Sequence, residues 1–186
     1  MADGQPARGD GTALLVVDML NAYAHEDADK LADSAARAVP VIARLIERAR
    51  QEDVLLIYVN DNYGDWNSSA SELSDRAMAG RRPDLVEPLL PRERDSFVIK
   101  ARHSTFYATP LEYLLETAGT GRVVLTGQAT EQCILYSALD AYVRHFRVTV
   151  PRDAVAHIHP HLADSALEMM ERNMRAEITT AEECRL

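Results

Sequence analysis

The chain has few cysteines and no long apolar run. Two cysteines in 186 residues cannot form a disulfide framework, and they favour a reducing compartment. The N-terminal residues lack the apolar core of a signal peptide, and no apolar run approaches the ~20 residues that span a bilayer. We therefore expect a cytoplasmic protein with no membrane partner.

An excess of positive charge is also missing. The chain has 20 Lys and Arg against 29 Asp and Glu, a net charge of −9, and no basic block. Nucleic-acid surfaces depend on clustered cations, so nucleic acid is not an expected partner. The length suits one domain with a sizeable core. Residues 1–11 are small and polar and predict a loose tail, which leaves 12–186 as a single domain.

The common nucleotide-binding motifs are absent, but strand and helix patterns alternate along the whole chain. No G-x-G-x-x-G follows the first strand, and there is no P-loop. Strands are predicted at Ala13–Val17, Val54–Val59, Phe97–Ile99, Val123–Thr126, Arg147–Val150 and Ala176–Thr180. Helices are predicted at Leu31–Arg50, Ser71–Met78, Thr109–Ala118, Thr130–His145 and Leu162–Met174. This alternation predicts a parallel sheet with helices on both faces, whose ligands bind at the carboxyl ends of the strands.

Two connections between these elements carry predictions of their own. Gly119–Gly121 is predicted to be a turn. Asn60–Leu90 is long and irregular, which in a compact domain is typical of a lid or a subunit interface.

A cysteine lies where a strand passes into a helix. Cys133 falls in the first turn of the helix that follows the fourth strand. First-turn N–H groups have no intrahelical partner and the helix dipole adds a positive field, so both favour a thiolate. Taken alone, this stretch favours a small buried packing residue, which is the commoner use of a free cysteine.

Two other reactive residues occupy equivalent positions. Asp18 directly follows the first strand, and Lys100 directly follows the third. Singly, such an acid is usually a turn residue and such a lysine is usually solvated. Because Asp18, Lys100 and Cys133 all fall at the carboxyl edge of one sheet, we interpret them as members of one functional site.

The residues around these three positions resemble the isochorismatase-like cysteine hydrolases. The resemblance extends from Leu14 to about Thr180. It is carried by LLVVDML (Leu14–Leu20), VIKARHSTF (Val98–Phe106), VVLTGQATEQCI (Val123–Ile134) and VPRDAVA (Val150–Ala156). It implies a three-layer αβα domain with a Rossmann-like parallel sheet of about six strands, in the order 3-2-1-4-5-6. It also implies that Asp18, Lys100 and Cys133 form a catalytic triad.

The resemblance further implies a reaction. Cys133 would attack a small amide-like C–N substrate and form a thioester, with Asp18 carrying the proton. The oxyanion would be held by the backbone N–H groups of Ala129 and Cys133, beside a non-proline cis peptide between Gln128 and Ala129. Lys100 and the helix start together predict a Cys133 pKa below the ordinary value of about 8.5.

Eight further residues are candidates for contact with a small-molecule substrate. They are Leu20, Tyr23, Asn60, Tyr63, Trp66, Phe106, Gln128 and Thr130. Tyr63, Trp66 and Phe106 are candidates for an apolar wall. Tyr63 and Trp66, with the apolar residues of 85–90, also predict a homo-oligomer, which is usual among the relatives that this chain resembles.

The chain departs from the family at two places. Many relatives have Gln where this chain has Leu20, and the nicotinamidase branch places metal-binding His residues where Asn60–Trp66 has none. No metal or other cofactor is therefore expected. The run of His157, His159 and His161 is interpreted as a polar loop.

Two alternatives to amide hydrolysis remain open. One is an isochorismatase-type vinyl-ether hydrolase, which would use Asp18 as the acid and needs no thiol. The other is a non-catalytic binding or assembly protein on the same fold. The presence of Cys133 favours the amide-hydrolysing branch.

Overall fold

The computed structural model describes residues 8–186 and is built on one parallel sheet. Its strands are β1 (Gly11–Val17), β2 (Leu55–Asp61), β3 (Ser96–Lys100), β4 (Thr120–Gln128), β5 (Arg147–Pro151), β6 (Val155–Ala156) and β7 (Glu177–Thr179). The order is β3-β2-β1-β4-β5-β7, and the short β6 pairs with the end of β4. The predicted order is confirmed, with β7 as the sixth predicted strand. Only the two-residue β6 was not predicted.

Helices cover both faces of the sheet and confirm the three-layer arrangement. They are α1 (Ala28–Gln51), α2 (Ala70–Met78), α3 (Pro83–Val86), α4 (Leu111–Thr117), α5 (Leu135–Val143) and α6 (Pro160–Met174). A hydrophobic core lies on each face of the sheet, and alternate residues of β1 contribute to each. Leu14 and Val16 pack towards α1, whereas Leu15 and Val17 pack towards α4 and α5. No helix within 8–186 is long and apolar enough to cross a membrane.

Three local predictions differ from the structure. Thr120 and Gly121 belong to β4 and not to a turn, because they extend its pairing with β1. The predicted helix from Thr130 begins with a π-helical turn, Thr130–Ile134, before α5. The apolar side chains at Leu85, Val86 and Leu89 are buried against α1, so they offer no surface for a subunit contact.

The predicted tail, residues 1–11, falls only partly within the described residues. Residues 1–7 lie outside the described residues, but residues 8–11 pack against the domain. The guanidinium of Arg8 pairs with Glu112 and Glu116 at 2.9 Å each and lies 3.8 Å from the centre of the Phe146 ring. Gly11 already belongs to β1.

Candidate active site

Asp18 is positioned by a tight turn at the end of β1. Its φ is 54°, a left-handed conformation that Asp tolerates better than most residues. Its N–H donates to the Val59 carbonyl at 2.9 Å, and its Oδ1 accepts the Asp61 N–H at 2.8 Å. These bonds hold the carboxyl group between the ends of β1 and β2.

Gly127 lets β4 run close beside this turn. A Cβ at Gly127 would lie 2.1 Å from the Val17 carbonyl oxygen, and its φ is 110°. Only glycine suits that combination. The close approach brings the chain leading to Cys133 beside Asp18.

Lys100 contacts both Asp18 and Cys133. Its side chain is almost fully buried, and its Nζ lies 2.8 Å from Asp18 Oδ2 and 3.6 Å from Cys133 Sγ. A second carboxylate, Asp61 Oδ2, is 3.5 Å from the same nitrogen. A buried ammonium is tolerated only with such partners. The structure therefore brings Asp18, Lys100 and Cys133 into contact.

Cys133 lies in the π-helical turn. The Ile134 N–H donates to the Ala129 carbonyl at 3.2 Å, which is the widened i→i−5 spacing. The Thr130 hydroxyl donates to the Ala156 carbonyl at 2.9 Å and ties this turn to β6. The peptide bond between Gln128 and Ala129 is cis. On its open side, the Cys133 sulfur lies 3.6 Å from Nδ1 of His103.

The expectation of a lowered thiol pKa is wrong. Burial raises the pKa of Cys133, Asp18 adds to the rise, and Lys100 offsets only part of it. The sequence pattern identified the favourable cation but not the depth of burial. The cysteine therefore rests as a thiol.

The pKa values of Asp18 and Lys100, the two ionisable partners of Cys133, are shifted as well. Burial raises the pKa of the Asp18 carboxyl, and the attraction of Lys100 lowers it by less. Burial lowers the pKa of Lys100, but the charge of Asp18, its hydrogen bond to Lys100, the charge of Asp61 and that of Cys133 when it is ionised raise the pKa by more, so the net shift is upward. Lys100 is therefore a fixed cation, and Asp18 is a carboxylate whose proton affinity is increased.

Four of the predicted substrate contacts lie behind the triad and support it. Gln128 Nε2 donates to the Asp18 carbonyl at 2.8 Å, and the Tyr23 hydroxyl donates to Gln128 Oε1 at 3.2 Å. The Asn60 side chain accepts the Leu20 N–H at 3.0 Å and donates to the Leu20 carbonyl at 3.2 Å. All four side chains are buried. Leu20 thus takes part through its backbone.

An open cleft of about 900 Å³ is lined by Lys100, Asp61 and His103, whereas Asp18 and Cys133 do not line it. Tyr63 and Trp66 line it, and Trp66 is 81 % exposed. Phe106 does not line this cleft, because its ring is buried against Phe146 at 5.8 Å between centres. The predicted aromatic wall is therefore formed by Tyr63, Trp66 and an unpredicted Tyr107.

Sequence reasoning missed two groups that touch the triad. Asp61 ends β2 as Asp18 follows β1, so the same strand-end pattern could have identified it. His103 lies in the loop after β3, three residues beyond Lys100, and no periodic pattern marks it.

The three loop histidines do not reach the cleft. His157 Nδ1 is 3.2 Å from the Ser34 hydroxyl of α1, and the His159 N–H donates to Glu131 Oε1 at 2.7 Å. His161 lies within α6. Within residues 8–186, no three His, Cys, Asp or Glu side chains are grouped as metal ligands would be.

Known proteins share this fold and sequence. The isochorismatase domain family matches residues 12–183. The isochorismatase family protein YaaI of Bacillus subtilis is 37 % identical over 171 residues, 92 % of this chain and 94 % of that protein. Maleamate amidohydrolase of Pseudomonas putida is 30 % identical over 88 % of each chain.

A solved structure agrees with these sequence matches. The N-carbamoylsarcosine amidase from Thermoplasma acidophilum superimposes with a TM-score of 0.73 at 28 % identity, covering 95 % of this chain and 99 % of that one. Fold, sequence and family match agree over nearly the whole domain, and the chain belongs to the isochorismatase-like hydrolase family.

Proposed function

We propose that this chain is a cysteine hydrolase that cleaves a small amide-like C–N bond, other than a peptide bond, through a thioester. The observation that carries the proposal is the Lys100 ammonium, 2.8 Å from the Asp18 carboxylate and 3.6 Å from the Cys133 sulfur. A thiol with a proton acceptor and a counter-ion in contact is an activatable nucleophile. The names of two relatives, an amidohydrolase and an amidase, support the same reaction class.

In the first step, Asp18 takes the proton of the Cys133 thiol. The sulfur electron pair attacks the substrate carbonyl carbon, and the C=O pair moves to oxygen as an oxyanion. The backbone N–H groups of Ala129 and Cys133 are the proposed donors to that oxygen. When the oxyanion collapses, the C–N bond breaks and Asp18 gives its proton to the departing nitrogen. The acyl group remains on sulfur as a thioester.

Water completes the cycle. It attacks the thioester carbonyl and gives a proton to Asp18, and collapse of the second oxyanion breaks the C–S bond. The carboxylic acid leaves, and Asp18 returns the proton to sulfur. Throughout, Lys100 keeps its charge and balances whichever of Asp18 and Cys133 is anionic. The raised pKa of Asp18 suits a group that must both accept and return a proton.

The cleft accounts for the proposed substrate size. Tyr63, Trp66 and Tyr107 offer flat apolar faces, and the volume of about 900 Å³ accepts a small molecule. Hydrolysis of a vinyl ether needs an acid and no thiol, so the contact between Cys133 and Lys100 favours the amide reaction. The proposed reaction needs no metal, and its proposed setting is the cytoplasm.

We also propose that the chain forms a homo-oligomer. Tyr136, Leu139 and Val143 are exposed along α5 and form an apolar stripe beside the active site. Sedimentation of the wild type should give a mass above the 20.7 kDa of one chain, and Leu139→Asp should lower it. Tyr113→Asp on α4 is the control, since Tyr113 is exposed on another helix. A wild-type monomer at micromolar concentration would contradict this proposal.

The amide reaction is tested by turnover. Purified protein is assayed for ammonia or amine release from a panel of small amides and N-carbamoyl compounds. Cys133→Ala and Asp18→Asn should each lower turnover by about 10²-fold or more, because the first lacks the nucleophile and the second cannot carry the proton. Cys184→Ala is the control, since this buried cysteine lies in the C-terminal segment packed on the α1 side of the sheet. Full turnover by Cys133→Ala would contradict the proposed function.

A further inference from the structure

The Cys133 sulfur has a neighbour that the reaction described above does not use. Nδ1 of His103 lies 3.6 Å from Sγ, the same separation as Lys100 Nζ. His103 is exposed and lines the cleft, whereas Asp18 and Lys100 are buried. The sulfur is therefore flanked by an ammonium on its buried side and by an imidazole on its open side.

The contact is held in place by the loop that carries His103. The imidazole stacks on Tyr136 of α5, with ring centres 5.5 Å apart and planes at 24°. Directly after it, the Ser104 hydroxyl donates to Asp140, and the Thr105 N–H donates to the Ser137 hydroxyl at 3.0 Å. The loop is thus attached to the same helix that extends from the Cys133 turn, so the imidazole and the sulfur are positioned by one rigid element.

The charges around the sulfur favour a second cation. Asp18 faces it from the end of β1 and Asp61 approaches Lys100 from the end of β2, so two carboxylates share one buried ammonium. Tyr136 faces the imidazole from α5, and Arg102 lines the cleft in its own loop. When Asp18 takes the thiol proton, the negative charge of the carboxylate moves to the sulfur. A cation touching the sulfur from the open side would offset it.

We propose that protonated His103 donates its Nδ1–H to the Cys133 thiolate, and so stabilises the nucleophile from the cleft side while Asp18 takes the thiol proton on the buried side. The S–H bond breaks and its proton goes to Asp18. The proton on His103 comes from solvent and stays on Nδ1, so no additional reactant is needed. Because His103 touches the reacting sulfur, it is a catalytic residue of the reaction proposed above, on which this inference rests.

If His103 acts in this way, Cys133 should be alkylated faster in the wild type than in a variant without the imidazole, and the ratio of the two rates should change with pH. The proposed hydrogen bond needs a proton on Nδ1 while the sulfur is a thiolate, and protonation is favoured by low pH, so the stabilisation should be greatest at the acidic end and lost as pH rises. A histidine with only a packing role would give a ratio of alkylation rates that does not change with pH.

The test is the rate of Cys133 alkylation by iodoacetamide from pH 5.5 to pH 9.5, with peptide mapping to separate Cys184. His103→Phe keeps a ring to stack on Tyr136, and His103→Gln keeps polarity, but neither can hold a proton. His161→Phe is the matched control, since that histidine lies in α6 away from the cleft. Thermal unfolding identifies any variant that has lost its fold.

We expect the wild type to be alkylated about tenfold faster than both His103 variants near pH 6, the effect of one pKa unit on the thiolate fraction. The ratio should fall towards one near pH 9, and His161→Phe should match the wild type throughout. A ratio that is constant with pH, or within about twofold of one at every pH, would overturn the role of His103, as would normal rates in His103→Gln. Full turnover by Cys133→Ala would instead remove the proposed function, so the two failures are distinguishable.

Discussion

The Lys100 ammonium lies 2.8 Å from the Asp18 carboxylate, and neither side chain is more than 10 % exposed. Removing one member leaves the other as an unpaired buried charge, which costs about 3–5 kcal/mol. Lys100→Ala should therefore lower the free energy of unfolding by about that amount as well as abolish turnover. Chemical denaturation measures the first effect. Lys30→Ala, which breaks the exposed pair with Asp27, is the control and should change little. Wild-type stability in Lys100→Ala would contradict the buried pair.

Tyr23 supports Asp18 indirectly, because its hydroxyl donates to Gln128, which in turn donates to the Asp18 carbonyl. Tyr23→Phe leaves Gln128 Oε1 without the hydroxyl that donates to it at 3.2 Å, and an unsatisfied buried acceptor costs about 1–3 kcal/mol. We expect a loss of stability in that range and a smaller loss of turnover. Tyr58→Phe is a matched control, because the buried Tyr58 hydroxyl has no hydrogen-bond partner among the described residues. If both variants were equally stable, the Tyr23–Gln128 bond would have no structural role.

Burial of the thiols predicts how stability depends on alkaline pH. The pKa values of Cys133 and Cys184 are both raised, first of all by burial. An unfolded thiol ionises near pH 8.5 whereas the folded thiol stays protonated, so the unfolded state binds fewer protons above that pH. Each thiol should then cost up to about 1.4 kcal/mol of stability per pH unit until its folded pKa is reached.

The comparison is between the wild type and Cys133→Ala, by denaturation at pH 8, 9, 10 and 11. Tyr23 and Tyr58, whose pKa values burial also raises, add to the alkaline loss in both proteins, so only the difference between them reports on the thiol. The variant should lose stability less steeply above pH 9. Parallel curves would mean that Cys133 ionises normally in the folded protein.

The strand-end rule predicted the main result, the meeting of three distant residues. Asp18, Lys100 and Cys133 each follow an apolar run in the sequence, and the carboxyl ends of parallel strands share one edge of a sheet. The same reasoning extended to Asp61 would have completed the carboxylate set around Lys100.

Side-chain direction in irregular segments could not be predicted in this way. Phe106 turns into the core and His103 turns to the sulfur, although both belong to one short loop. Leu85 and Val86 are buried because α3 packs on α1, a contact that no local pattern encodes. The predicted direction of the Cys133 pKa shift was wrong for the same reason, since that direction depends on how deeply tertiary packing buries the sulfur.

The proposed reaction places a covalent acyl group on Cys133, and mass spectrometry of the intact protein detects such a group directly. Wild-type protein is mixed with a panel of small amides and quenched in acid within seconds, followed by peptide mapping. We expect a mass increase equal to the acyl part of a hydrolysed substrate, located on the peptide containing Cys133 and absent from Cys133→Ala. Substrate turnover by Cys133→Ala, or an adduct located on another residue, would contradict it.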